Sequence, residues 1–112
     1  VHVDLTRDSV AMGDDVDAPH RQSLHLTDDA SLGDAVSAVL ARPYLAQIGG
    51  GKATWLVVVD GTVSAVVAQQ WAGPRWLADA RVRAPGAIHF RYLAQRDPGE
   101  VYVEYSRCQG QP

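Results

Sequence analysis

Two nearly continuous apolar, β-branched runs that meet at an Asp-Gly dipeptide constrain this chain more than any other feature. Residues 54–60 read Thr-Trp-Leu-Val-Val-Val-Asp, and residues 62–68 read Thr-Val-Ser-Ala-Val-Val-Ala. The first run lacks polar alternation, so it has no side suited to water and predicts a central strand buried on both faces. Asp60-Gly61 supplies two residues that tolerate positive φ, as a type I′ turn requires, and the two runs therefore predict a tight hairpin.

The flanking segments carry their own periods. Val1, Val3 and Leu5 alternate with His2, Asp4 and Thr6, and Leu24 and Leu26 alternate with Ser23, His25 and Thr27. A period of two marks a half-buried strand, so these predict a second hairpin with a long polar connection. Ser31, followed three residues on by Asp34, has the form of a capping box with Asp in place of Glu or Gln. Leu32, Val36, Val39 and Leu40 then fall at i, i+4, i+7 and i+8, one helical stripe that Pro43 ends. Gly49-Gly50-Gly51 reads as a loop, and residues 69–85, with Trp71, Pro74 and Trp76, as irregular. Ile88, Phe90 and Tyr92 alternate with His89, Arg91 and Leu93; Asp97-Pro98-Gly99 reads as a turn, and Val101, Val103 and Tyr105 as a last strand.

The expected order is β-β-α-β-β-β-β, an α+β fold with an antiparallel-rich sheet and one main helix packed on one face. The 112 residues, 46% hydrophobic, suffice for one compact core, expected over residues 1–108 with a frayed tail at 109–112. The opening hairpin followed by a helix resembles the start of a β-grasp, or ubiquitin-like, fold. The resemblance covers the first half of the chain, rests on architecture rather than on signature residues, and implies no activity.

Composition narrows the function. Ten Lys and Arg against thirteen Asp and Glu leave a net charge of -3, and no basic run occurs, which argues against nucleic acid and anionic membranes as partners. The single Cys108 rules out an intrachain disulfide and a CxxC site. The lack of disulfides suits the cytoplasm, where this chain is expected to reside. The longest apolar run is too short to span a bilayer, and the first residues lack the pattern of a signal peptide. Lys52 is the only lysine and Asn is absent, a bias of GC-rich bacterial genomes that explains the arginine content without reference to function.

Chemistry-bearing residues concentrate in two loops. Residues 13–20 hold Asp14, Asp15, Asp17 and His20, more charge than a turn needs, although Asp and Pro also serve turns for backbone reasons. Hard cations take oxygen ligands from such loops, but the EF-hand pattern fails here for want of its Gly and its bidentate Glu. Trp71, Arg75 and Trp76 surround Gly73-Pro74, and Trp and Arg are the residues most enriched in binding hot spots. Burial against an open end of the sheet is the alternative, expected for at least one of the rings. If Val3 pairs with Leu24, His2 lies opposite His25 with Asp4 on the same face, a set of zinc-ligand types. Gly49-Gly50-Gly51-Lys52-Ala53-Thr54 fails as a phosphate loop, because a strand rather than a helix follows it. No serine sits in a nucleophile elbow.

The expected function is therefore that of a small acidic, non-enzymatic protein-binding or accessory domain without a cofactor. Its contact surfaces are Asp14, Asp15, Asp17 and His20 in one loop and Trp71, Arg75 and Trp76 in the other. The alternative is a metal-dependent module or small enzyme built on Asp15, Asp17 and His20. Self-association is a third reading, a homodimer formed through an edge strand, with the hairpin over residues 88–105 at the exposed edge.

Overall fold

The computed structural model describes residues 1–8, 21–41, 54–68, 71–93 and 96–109. In chain order they form β1 (His2–Arg7), β2 (Arg21–His25), α1 (Leu32–Leu40), β3 (Thr54–Val59), β4 (Thr62–Ala68), β5 (Arg75–Trp76), β6 (Ala87–Leu93) and α2 (Pro98–Gln109). The six strands make one sheet in the order β2-β1-β6-β3-β4-β5. It is a mixed sheet, since β1 and β6 run parallel while the other neighbours are antiparallel.

The apolar hairpin forms as its pattern requires. Asp60 (φ 51) and Gly61 (φ 79) make the tight turn in the left-handed region, and Thr54, Trp55, Leu56 and Val57 are all buried. Period two then sorts the side chains. Trp55 and Val57, with Val3 and Leu5 of β1, Leu24 of β2, Ala65 and Val67 of β4, and Ile88 and Phe90 of β6, form one core against Leu32, Ala35, Val36 and Val39 of α1. Leu56 and Val66 point the other way, into a smaller core with Val101 of α2.

The first turn of α1 leaves no backbone donor unmet. Ser31 Oγ accepts from the Asp34 N–H at 3.1 Å and Asp34 Oδ2 from the Ser31 N–H at 3.0 Å, the expected capping box. The N–H groups of Leu32 and Gly33 donate to the carbonyls of Val82 (2.7 Å) and Ala80 (2.8 Å), so the segment after β5 takes up the remaining free donors. The approach is close: a Cβ at position 33 would stand 3.2 Å from the Ala80 carbonyl oxygen, so a side chain there would press on the 79–82 segment. The same segment turns at Asp79, whose Oδ1 accepts from the Arg81 N–H at 2.9 Å and from Arg81 Nε at 3.1 Å. Those two bonds, the backbone one foremost, hold the Asp79 carboxyl below the usual carboxylate range. A lowered folded value means stabilisation that is complete above the unfolded value and lost as pH falls through the folded one. In a carboxyl-carbon NMR titration Asp79 is expected to show a midpoint below that of a free aspartate, and the ordinary midpoint in an Arg81→Pro variant, which lacks both donors.

The structure corrects three expectations. Residues 98–109 form a helix, not a strand, because Asp97 and Pro98 act as helix-starting residues rather than as a turn. Asp97 Oδ2 accepts from the Glu100 N–H at 3.0 Å, and Val101 and Tyr105, four residues apart, lie toward the second core, whereas Val103 is exposed. Helices therefore pack on both faces of the sheet, not on one. Finally, β6 lies between β1 and β3, so no hairpin over residues 88–105 stands at an edge; the outer strands are β2 and β5.

Candidate functional site

The segment between β4 and β6 is held down by Ser64, whose carbonyl accepts from the N–H groups of Leu77 (2.9 Å) and Ala78 (3.1 Å). Within it, β5 pairs with β4 through Ala65↔Trp76 and Val66↔Arg75, and successive residues of a strand point to opposite faces. Trp76 accordingly packs on the α1 core, while Trp71 packs on the α2 core beside Tyr102. Both rings are half-buried and lie on opposite faces of the sheet.

Arg75 remains exposed on the α2 side. Its guanidinium carbon lies 4.1 Å from the centre of the Trp71 ring and 6.0 Å from that of Tyr102. Tyr102 is itself tied to the edge strand, its hydroxyl donating to the Trp76 carbonyl at 3.4 Å. Among the described residues no carboxylate forms an ion pair with Arg75. A cation stacked on an aromatic face keeps its in-plane N–H donors free at the guanidinium edge. The residue types were visible in the sequence, but Tyr102 was not, because it arrives from α2.

The rest of that sheet face is open and polar. The α2 helix packs over β3 and β4, and the adjoining face of β1, β2 and β6 presents His2, Asp4, Thr6, Ser23, His25, His89 and Arg91. The expected register holds: Val3 pairs with Leu24 and His2 with His25, whose rings meet edge-on at 4.6 Å. His2 Nε2 lies 3.2 Å from Asp4 Oδ1. Among the described residues, however, no group of three or more His, Cys, Asp or Glu side chains is placed to hold a metal ion.

A second cluster on this face has no counterpart in the sequence reading. Parallel pairing of β1 with β6 sets Thr6 beside His89, and Thr6 Oγ1 lies 2.8 Å from His89 Nδ1. His89 Nε2 lies 2.9 Å from Asp8 Oδ1, and Asp8 Oδ2 accepts from the Tyr92 N–H at 3.0 Å. His89 stands more than eighty positions from Thr6 and Asp8 and meets them across a parallel contact, so no local pattern marks the cluster.

Asp14, Asp15, Asp17 and His20 lie outside the described residues, as do Gly49, Gly50, Gly51 and Lys52. No helix among the described residues is long and apolar enough to cross a membrane. No protein-family model matches the chain, and searches of curated proteins and of solved structures return no match either.

Proposed function

We propose that this is a protein-binding domain that engages an acidic segment of a partner protein through Arg75, displayed on Trp71 and Tyr102. The observation that carries the reading is the stacked, exposed guanidinium with no carboxylate of its own among the described residues. Stacking restricts the side chain before a partner arrives, so less rotamer entropy is lost on binding. Trp, Tyr and Arg are also the residue types that dominate interface hot spots. The support is a sheet that backs the patch from behind. In that sheet β6 returns beside β1 and parallel to it, which ties the opening hairpin to the β3–β4 hairpin that carries β5.

The test is titration of the labelled protein with a glutamate-rich peptide, a lysine-rich peptide serving as control, followed by NMR. The glutamate peptide is expected to shift the Trp71 indole and Arg75 side-chain signals, with binding that weakens as salt is added. Arg75→Ala should lower the affinity at least tenfold, about 1.4 kcal/mol, and Arg75→Lys should not restore it, because an ammonium lacks the planar fork. Equal binding of both peptides, or no shift at Arg75, would overturn the reading.

A further inference from the structure

We propose that Thr6, His89 and Asp8 form a nucleophilic relay on the open sheet face, and that Thr6 accepts acyl groups from small activated esters. The inference is independent of the Arg75 surface. Its basis is an unbroken chain of contacts: Tyr92 N–H to Asp8 at 3.0 Å, Asp8 to His89 Nε2 at 2.9 Å, and His89 Nδ1 to Thr6 Oγ1 at 2.8 Å.

The direction of the relay follows from what each group can do. A carboxylate only accepts, so Asp8 requires the proton of a neutral His89 ring on Nε2. Nδ1 then carries the lone pair, and the Thr6 hydroxyl is the donor to it. A hydroxyl donating to an imidazole that a carboxylate orients is the arrangement that activates a nucleophile, here with the two ring nitrogens in exchanged roles. Asp8 is anchored by a backbone donor, and its own N–H donates to the Phe90 carbonyl at 3.0 Å, so the orienting group is fixed at both ends. The imidazole and carboxylate side chains are each 40% exposed, and Thr6 is exposed too, so a small ester reaches the hydroxyl from solvent. Arg21, the register partner of Thr6 on β2, adds a cationic residue to the same face.

The step balances without a further reactant. Thr6 Oγ1 bonds to the ester carbonyl carbon, its proton passes to His89 Nδ1, and collapse of the tetrahedral adduct breaks the bond to the leaving oxygen, which departs as the alcohol or its anion. His89 Nδ1 gives that proton to the leaving oxygen or to solvent; it then takes a proton from water as the water oxygen bonds to the acyl carbon, and returns it to Thr6 Oγ1 as the acyl–oxygen bond breaks and the acid leaves.

The test exposes the whole chain to p-nitrophenyl acetate, follows nitrophenolate release, and locates acetyl groups by peptide mass spectrometry. Acetyl is expected on Thr6. Thr6→Val should abolish that adduct, and His89→Gln should slow it about a hundredfold, the lower end of what a general base contributes. Asp8→Asn should slow it as well. Thr6→Ser keeps the hydroxyl and the fold and should retain labelling, which preserves the test if the valine variant misfolds. Acetyl on Lys52 or the terminal amine with none on Thr6, or a Thr6 rate indifferent to His89→Gln, would overturn the proposal.

Discussion

Phe90→Ala is expected to cost about 3–5 kcal/mol of folding stability. Phe90 is wholly buried at the middle of β6, paired with Arg7 of β1 on one side and Val57 of β3 on the other. The ring therefore fills the α1 core where the sheet halves join, and neither flanking strand is free to collapse into the gap. Domains of this size hold only about 5–15 kcal/mol in total, so the variant should be partly unfolded near body temperature. Urea denaturation followed by circular dichroism measures the effect, and Phe90→Leu, which keeps most of the volume, should lose far less. A loss under about 1 kcal/mol for the alanine variant would show that this core is not packed as described.

The second large effect is Val101→Asp, and its expected signature is local. Among the described side chains of α2, Val101 is the one that is fully buried, and it joins Leu56 and Val66 at the centre of the second core. A carboxylate there has no partner, and burying it costs more than the helix gains by docking, so α2 should detach. The α1 core shares none of these three residues and keeps the sheet folded. Hydrogen exchange should then show lost protection over residues 98–109 and retained protection in β1, β3 and β6. Detachment also removes Tyr102 from Arg75, so the variant should bind the glutamate-rich peptide less tightly while leaving the Thr6 relay intact. Uniform loss of protection throughout the sheet would mean that the two cores unfold as one unit.

The β3–β4 hairpin, the period-two faces of β1 and β2 and the Ser31 cap of α1 were legible because each rests on neighbours in sequence. A β-branched run, an Asp-Gly turn and a side chain three residues from its acceptor carry their own physics wherever they are placed. The 98–109 helix was misread for the converse reason. Val101, Val103 and Tyr105 fit a period of two, and Asp97-Pro98-Gly99 serves equally as a turn or as the cap and first turn of a helix. Burial of Val101 and Tyr105 against Leu56 and Val66 selects the helix, and that partner surface lies more than thirty residues away. Trp71, Arg75 and Trp76 drew notice by residue type, yet pairing of β5 with β4 sends Arg75 and Trp76 to opposite faces and leaves Arg75 to be completed by Tyr102.

By itself, then, the sequence determined an α+β domain, its central apolar hairpin, its capped helix and, strand by strand, that His2, Asp4 and His25 alternate away from the apolar side; their meeting required the pairing of Val3 with Leu24. The tertiary structure alone decided that β6 returns parallel beside β1, that a second helix covers half of the far face, and that Thr6, Asp8 and His89 touch. Short-range patterns specify an element because backbone dihedrals and side-chain periods are local properties. The sites arise where elements distant in the chain pack, and which packing wins depends on the apolar area that each arrangement removes from water.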